Sequence, residues 1–431
     1  MNKYQWTNWS GGVVCYPEQI LRPASVDEIV DVVKTAVSQN KTIRLVGAGH
    51  SFTPVVQTNS LLVSLDNYQG IESVDHETGY VKVRAGTRLH HLGSALKEHG
   101  LAQENLGDID DQSIAGAVST GTHGTGAKLR TIATQVVAMT LVNGRGEAVT
   151  ISEAEHSELL NAARISLGML GIIVDVTLRT IPAYKLHAHI QAATLDDVLQ
   201  NLPVHKENRH FEFFWFPHTK AVQLKEMNMT EAPAQKEGFG TWLNDVVVEN
   251  GAFELISRLS RRFPNRIPQF NNLSGRFISE VEKVNHSHKV FAATRTVRFE
   301  EMEYNIPAEH FTDCVREIEA TNAKQQFAVN FPIECRFVAA DEIWLSPAYQ
   351  RESAYLAVHM YKGMPYQEYF AAMETIFKKF NGRPHWGKRH NFTPEDVQAR
   401  YPRAVEFLQK REEIDPQGIF LNEYLKQTFG L

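Results

Sequence analysis

Residues 44–52 read Arg44-Leu45-Val46-Gly47-Ala48-Gly49-His50-Ser51-Phe52, and this stretch decides the fold. The apolar run Ile43–Val46 predicts a strand, and the two glycines after it predict a turn whose backbone amides can face an anion such as a pyrophosphate. His50 follows at the tip of the turn, where an imidazole can titrate near neutral pH or act as a nucleophile. A Gly-x-Gly after a strand is weak evidence by itself, so a nucleotide site needs support from elsewhere in the chain.

A second glycine-rich tract supplies that support. It reads Ser113-Ile114-Ala115-Gly116-Ala117-Val118-Ser119-Thr120-Gly121-Thr122-His123-Gly124-Thr125-Gly126. His123 can serve a ligand or simply hold its loop through hydrogen bonds. A nicotinamide-binding fold is disfavoured, because the first tract lacks a third glycine opening a helix and no acidic residue ends a second strand about 20 residues on. The two tracts together predict a nucleotide-binding N-terminal region.

Composition narrows the class of protein. The chain has 431 residues, enough for two or three domains, and a net charge of −6 with no basic block, which argues against a nucleic acid or anionic membrane partner. Its three widely spaced cysteines argue against a disulfide framework or a zinc site, and the 18 histidines include no His-Glu-x-x-His spacing, so no metal is expected. The absence of a signal-type N-terminus or a bilayer-length apolar run predicts a cytoplasmic protein.

The pattern of predicted secondary structure changes near Pro182. Before it, short strands and helices with brief links predict a mixed α+β domain over residues 1–182. After it, aromatic-rich strands such as 211–216 and 290–299 alternate with helices, which predicts an antiparallel-sheet domain over 183–380 with helices on one face. Short helices are predicted in the tail, 381–431, one of them starting at Thr393 and Pro394.

Glu334 and Arg336 lie two residues apart in a predicted strand over 327–338, so both side chains leave the same face and Cys335 leaves the other. A carboxylate accepts from hydroxyl groups and a guanidinium donates to oxygens, so the pair can grip a polyhydroxy substrate. A cross-strand surface ion pair is the competing interpretation.

The loop His385-Trp386-Gly387-Lys388 offers a second candidate group. Lysine changes its pKa readily when it is desolvated, so Lys388 can be an active-site cation or a proton acceptor. The alternative is a turn with a buried tryptophan and a solvated lysine. His359, in a predicted strand over 355–361, is either a weaker member of the same site or a structural histidine.

Several motifs together match one family. They are residues 47–52, Asn105-Leu106-Gly107-Asp108-Ile109, residues 113–126, Glu334-x-Arg336 and His385-Trp386-Gly387-Lys388. On these the chain, from about Asn8 onward, resembles the sugar-lactone and alditol oxidases among the vanillyl-alcohol-oxidase type of FAD enzymes, which include gulonolactone and arabinonolactone oxidases. The resemblance implies an α+β fold: a PCMH-type FAD-binding domain of two α+β subdomains over 1–182, a substrate cap over 183–380, and a tail returning to the FAD domain.

The resemblance also implies roles for single residues. His50 matches the histidine that many members bond to the 8α-methyl of FAD, and Ile173 falls near the adenine. Gly47, Ala48, Gly49 and Ser51 would line the pyrophosphate. The rest of the cofactor would lie along Ser113, Gly116, Ser119, Thr122, His123 and Gly124. The polar groups facing the flavin would be Glu334, Arg336 and Lys388, with His359 beside them.

The implied reaction is hydride transfer from an alcohol carbon to flavin N5 while a base takes the hydroxyl proton. The candidate bases are Lys388, if Arg336 holds it neutral, and Glu334. Gly107 falls where relatives carry glycine or alanine beside the face through which oxygen reaches the flavin, which favours an oxidase releasing H₂O₂. Asp108 replaces the serine of alditol-oxidising relatives and favours lactones. The alternatives are an alditol oxidase acting on xylitol or sorbitol, a lactone dehydrogenase using another acceptor, and a flavin carrier without turnover.

Overall fold

The computed structural model describes residues 4–235, 250–292 and 296–431. The strand before the glycine turn, Ile43–Val46, lies at the edge of a three-stranded parallel sheet. It pairs with the central strand Leu61–Ser64, and Gln19–Leu21 pairs with the other side of that central strand. The helix Val26–Ser38 precedes the glycine turn's strand, and the Ser25 hydroxyl accepts from the Glu28 amide at its start, as the sequence predicts.

A five-stranded antiparallel sheet follows. Its strands, in spatial order, are Ala148–Ser152, Val136–Val142, Ile172–Arg179, Tyr80–Arg84 and Ile71–Asp75. The segment Asn143-Gly144-Arg145-Gly146 is a sequence signal for a hairpin, and the pairing of Ala148 with Val142 confirms it. The helices of this region are Leu89–Glu98, Ile114–Thr120 and Ser157–Arg164. Ser152 and Glu155 have the spacing of a capping box, and the Glu155 amide does donate to the Ser152 hydroxyl over 3.0 Å. The predicted helix start is nevertheless wrong, because the last of these helices begins after His156, which lies in the left-handed region at φ +66°.

An eight-stranded antiparallel sheet forms the rest of the framework. Its spatial order is Val281–His286, Lys185–Thr194, Ala221–Thr230, His210–Trp215, Ile333–Val338, Ser353–Tyr361, Phe299–Pro307 and Arg383–Pro384. Helices that accompany it are Leu195–Gln200, Leu202–His205, Asn250–Arg262, Ile267–Arg276, Ser287–Phe291, Phe311–Gln325 and Gln367–Lys379. The strand predicted over 290–299 is wrong at its start, since Val290 and Phe291 end a short helix and pack into a small apolar cluster with Leu106 and Leu186. Residues 293–295 lie outside the described residues, and Phe299 begins the next strand.

The tail forms the helices Pro394–Arg400, Ala404–Ile414 and Glu423–Phe429, and the predicted start at Thr393 is a complete capping box with Asp396. The tail contacts the strand Ile43–Val46, because the Ile43 amide donates to the Ile419 carbonyl over 2.7 Å. The domain limits at 182 and 380 stay predictions, and the strand Arg383–Pro384 of the large sheet lies just beyond the second one.

Smaller elements complete the framework. Two-stranded pairs join Trp6–Thr7 to Val14–Cys15 and Leu101–Ala102 to Ile181–Pro182. Short 3-10 turns lie at Pro54–Val56, Ile132–Gln135, Pro264–Arg266 and Ala308–His310.

Within the described ranges, no helix combines the length and apolar composition needed to cross a membrane. The α+β class with antiparallel sheets is thus the one that the sequence predicts.

Candidate active site

The glycine turn after Val46 opens into a cavity of about 920 Å³, counting the part that is open to solvent. The turn and the second glycine tract meet there, since a Cβ added to Gly47 would lie 2.3 Å from the Ser113 hydroxyl oxygen. The small side chains there let the backbone approach a bound ligand closely. Of the residues predicted to hold a cofactor, those that line the cavity are Gly47, Ala48, Gly49, His50, Ser51, Ser113, Gly116, Ser119 and Ile173.

Arg44 fixes the base of this turn. Its buried guanidinium donates to the Val55 carbonyl over 2.8 Å and the Leu167 carbonyl over 2.7 Å, and it contacts the Phe420 carbonyl. These three oxygens belong to segments that are far apart in sequence, so one side chain ties them to the edge of the cavity. Burial lowers the pKa of Arg44 to about 9, which still leaves the side chain charged at neutral pH.

His50 lines the cavity as a neutral ring. Its imidazole stacks on the Trp9 indole, with ring centroids 5.3 Å apart, and its Nε2 lies 3.9 Å from an Asp111 carboxylate oxygen. Burial lowers the pKa of His50, against the opposing charge of Asp111, so the ring keeps a free lone pair at neutral pH. Gly49 before it has φ +72°, a conformation that L side chains rarely adopt. The local geometry therefore suits a nucleophilic imidazole.

Five predicted cofactor residues lie away from the cavity lining: Gly107, Asp108, Thr122, His123 and Gly124. The loop around Gly107 packs on the end of the second tract, because a Cβ added to Gly124 would lie 2.2 Å from the Leu106 carbonyl oxygen. His123 points toward the large sheet, where its ring stacks on Tyr355 with centroids 3.6 Å apart. Its Nδ1 also lies 2.8 Å from the Gly124 carbonyl. His123 therefore also holds its own loop through a hydrogen bond, the alternative role considered from the sequence.

One face of the eight-stranded sheet carries a polar group of side chains. Residues paired across antiparallel strands share a face, and the pairs Glu212 with Arg336 and Glu301 with His359 belong to this one. Glu334 and Glu303 lie on the same face through their common partner Ala357. The sheet therefore gathers three predicted residues, Glu334, Arg336 and His359, on a single surface.

Arg336 lies among three carboxylates. Its Nε donates to Glu212 over 2.8 Å, its Nη2 contacts Glu334, and the same nitrogen is 3.5 Å from an Asp108 oxygen. Lys225 supports the arrangement from 2.9 Å on the other oxygen of Glu212. Arg336, Glu334 and Glu212 are all buried, so the surface ion pair considered from the sequence is not what forms.

The carboxylates of this cluster differ in proton affinity. Burial, reinforced by Asp108 and Glu212, raises the pKa of Glu334 to about 7 even though Arg336 opposes the rise. Burial acts the same way on Glu212, but Lys225 and Arg336 outweigh it and lower the pKa of Glu212 to about 2. Of these two glutamates, Glu334 is thus the one that can exchange a proton near neutral pH.

Lys388 comes to the same polar face from the loop after Pro384. Its Nζ lies 2.5 Å from the Glu301 Oε2 atom and 5.3 Å from the centre of the Phe52 ring. The side chain is only 16% exposed, so the solvated lysine considered from the sequence is wrong. Burial opposes its charge, but Glu301 and Glu303 raise the pKa of Lys388 above its ordinary value. The expectation that Arg336 keeps Lys388 neutral is therefore wrong, because carboxylates are its charged neighbours.

Three acidic residues of this site escape prediction from the sequence: Glu212, Glu301 and Glu303. The last two lie on the strand Phe299–Pro307, whose Glu301, Glu303 and Asn305 alternate with Met302, Tyr304 and Ile306. That polar row within a strand is the available signal, since carboxylates are uncommon in buried strands. Glu303 lies 3.1 Å from His123 Nε2, and ligand atoms of His123, Glu303 and His385 lie within 4.8 Å of one another.

Comparison with known proteins first defines the class. The model of an FAD-binding domain matches residues 17–152, which contain the turn and most of the cavity lining. In fold, the chain is similar to the cholesterol oxidase of Brevibacterium sterolicum, with a TM-score of 0.82, 18% identity and coverage of 99% of this chain and 97% of that one. A solvent-stable cholesterol oxidase gives a TM-score of 0.83 at 18% identity, covering 100% and 98%. The chain thus has the fold of these proteins and contains an FAD-binding domain.

The family follows from the remainder of the chain. The D-arabinono-1,4-lactone oxidase model matches residues 176–428, and the chain belongs to this family of sugar-1,4-lactone oxidases and dehydrogenases. It is 39% identical over 427 residues to L-gulono-1,4-lactone dehydrogenase of Mycobacterium tuberculosis, covering 99% of each chain. It is 36% identical over 435 residues to bovine L-gulonolactone oxidase, covering 99% of this chain and 98% of that one. The resemblance drawn from the motifs is confirmed at the level of the family.

Proposed function

We propose that this chain oxidises a sugar 1,4-lactone of the L-gulono or D-arabinono type, with FAD as the hydride acceptor at N5. The polar face of the eight-stranded sheet, which Lys388 joins beside Phe52 of the glycine turn, is the observation that carries the proposal. Bound FAD supplies the two-electron chemistry, and the polar face holds groups that match a ring with several hydroxyl oxygens. A substrate carbon must come within about 3–3.5 Å of the acceptor for the transfer.

Each polar group takes one task in this proposal. Arg336 donates to a substrate oxygen and is itself held in place by Glu212. Glu334, whose pKa is raised to about 7, takes the hydroxyl proton as the carboxylate. Lys388 remains an ammonium group and stabilises negative charge that develops on the oxygen. His359 contacts Glu301, so it acts on the site through that carboxylate.

The test of this function is anaerobic mixing of the FAD-loaded protein with L-gulono-1,4-lactone, D-arabinono-1,4-lactone, xylitol and sorbitol, followed in the visible flavin band. Bleaching by a lactone alone supports the proposal. Bleaching by the alditols alone would replace it with the alditol-oxidase alternative, in which Asp108 would be the residue to examine. A flavin that no compound bleaches would contradict both assignments and favour a carrier.

For the electron acceptor we propose O₂, reduced to H₂O₂. The family resemblance supports this, because Gly107 falls where relatives carry glycine or alanine beside the face through which oxygen reaches the flavin. In this structure an added Cβ at Gly107 would lie 3.2 Å from the Thr122 methyl carbon and 3.3 Å from the His123 carbonyl oxygen. The second candidate is a lactone dehydrogenase that passes electrons to another acceptor, and the name of the Mycobacterium tuberculosis relative favours it. Admitting air to the reduced protein distinguishes the oxidase from the dehydrogenase. The yellow colour of the oxidised flavin should return rapidly in an oxidase and slowly in a dehydrogenase.

Gly107→Ala tests the oxygen proposal directly. We expect the added methyl group, which must displace Thr122 and the His123 carbonyl beside it, to slow reoxidation by O₂ at least tenfold. Anaerobic reduction by the lactone should keep its rate, since the change removes no polar group. Stopped-flow absorbance measures the two half-reactions separately, and Gly93→Ala, far from the polar face, serves as the control for a simple packing defect. Equal O₂ rates for wild type and Gly107→Ala would contradict a role for Gly107 in oxygen access.

We also propose that His50 bonds covalently to FAD, as the neutral, stacked imidazole supports. Acid precipitation of the wild-type protein should leave a yellow pellet, whereas His50→Ala should give a colourless pellet and free FAD in the supernatant. In-gel fluorescence checks the same result. Free FAD from both proteins would contradict the bond without affecting the lactone proposal. A cytoplasmic location remains a prediction of the sequence.

A further inference from the structure

Glu301 lies between two of the candidate site residues and touches both. One carboxylate oxygen is 2.5 Å from Lys388 Nζ, and the other is 3.4 Å from His359 Nε2. The carboxylate is 5% exposed, so water does not compete for these contacts. His359 is anchored in turn, because its Nδ1 lies 3.3 Å from the Pro332 carbonyl. The ammonium, the carboxylate and the imidazole form one fixed row across the sheet.

The charges around Lys388 come from several elements. Glu301 and Glu303 face it from the strand Phe299–Pro307, and Asp108 acts from the loop after Gly107. His50 and His385 also face it, and burial lowers the pKa of each, which leaves both rings uncharged. Glu303 is engaged by His123 at 3.1 Å, which leaves Glu301 as the carboxylate in direct contact with the ammonium. The protonation of Lys388 thus depends most on one residue.

We propose that Glu301 is a positioning residue that holds Lys388 as a fixed ammonium group directed at the substrate oxygen, with His359 bracing the carboxylate from its other side. The inference deepens the proposed function and rests on it for the presence of a substrate. It assigns Lys388 the role of a permanent positive charge and leaves proton removal to Glu334. No bond forms or breaks at Glu301 during the reaction.

Removal of the Glu301 charge has a defined consequence. Burial disfavours the ammonium form, and without the carboxylate in contact with it, the pKa of Lys388 falls toward the working range. Lys388 then stays charged at low pH and loses its proton as the pH rises through the new pKa. In the wild type this loss lies above the ordinary lysine range, because Glu301 raises the pKa.

The first experiment compares pH profiles of anaerobic flavin reduction for wild type, Glu301→Gln and Glu301→Asp. We expect Glu301→Gln to acquire an alkaline limb, falling about tenfold per pH unit above the new pKa, which Glu301→Asp lacks because it keeps the charge. Glu300→Gln is the matched control: Glu300 is a buried neighbour that pairs with Arg389 at 2.5 Å. A Glu301→Gln profile like that of the control, or one that rises with pH where the wild type is flat, would overturn the proposal.

The second experiment needs no substrate. Thermal unfolding at pH 7.5 of wild type, Glu301→Gln, Lys388→Met and the double variant forms a cycle. Each single change leaves a buried partner unpaired, so we expect the double variant to lose less Tm than the sum of the two. Strict additivity would overturn the proposal. If no lactone bleaches the wild-type flavin, the proposed function fails, and this cycle still decides whether Glu301 governs Lys388.

Discussion

Glu334→Gln should slow anaerobic flavin reduction by the lactone about 10²–10⁴-fold, the usual contribution of a positioned general base. The amide has the shape of the carboxylate but cannot accept the hydroxyl proton. In the wild type, the rate should rise with pH through about 7 and level off above it, because Glu334 must be ionised and its pKa is raised to about 7. The variant should lose that rise. Stopped-flow measurements from pH 5.5 to 9 check both effects.

The control for this change is Glu300→Gln. Glu300 is a buried carboxylate next to Glu301 in the strand, so its side chain leaves the sheet on the side away from the polar face. Its rate and pH profile should match the wild type. If the reduction rate of Glu334→Gln still rose with pH near 7, the group that titrates there would be a different residue. If its rate stayed within a few-fold of wild type, Glu334 would not be the base.

Lys388→Met should slow the same step about 10²–10³-fold, the range that the loss of one charged donor to a developing oxyanion gives. Methionine fills a similar volume and removes the positive charge. The rise of the rate through pH 7 should persist, because Glu334 still supplies it. This persistence separates a fixed cation from a base, since removal of the base removes the rise itself.

Lys388→Arg is the companion variant, because it retains the charge with a different shape and should recover part of the rate. FAD content and Tm confirm that each variant is folded and loaded. Near-normal reduction by Lys388→Met would remove Lys388 from the reaction altogether. A Lys388→Met profile without the rise near pH 7 would return the role of base to this lysine.

Local signals predicted the nucleotide half of the molecule well. The strand Ile43–Val46 ends at the two glycines, and the first of them, Gly47, admits the close approach of Ser113. Ser25 and Thr393 cap the helices they were expected to cap. These features depend on neighbours within a few residues, so a single sequence is enough to find them.

The polar face of the large sheet depends on contacts between distant residues, and the sequence predicted only part of it. Arg336 and Glu334 were found because they are two residues apart. Glu212, which holds Arg336, lies 124 residues away from it in sequence. Lys388 was assigned the wrong neighbour for the same reason, since nothing in residues 385–388 indicates the carboxylate of Glu301. The charge state of a buried group is set by its partners, and the partners were not predicted.

The contact between Arg44 and the Phe420 carbonyl also has a consequence for biosynthesis. A chain made from its N-terminus presents the glycine turn early, but the oxygen that completes the binding of Arg44 arrives only 376 residues later. Until then the guanidinium lacks one of the three carbonyls that hold it at the cavity edge. The pocket therefore reaches its final form only after Phe420 has been synthesised and has folded back onto the glycine turn.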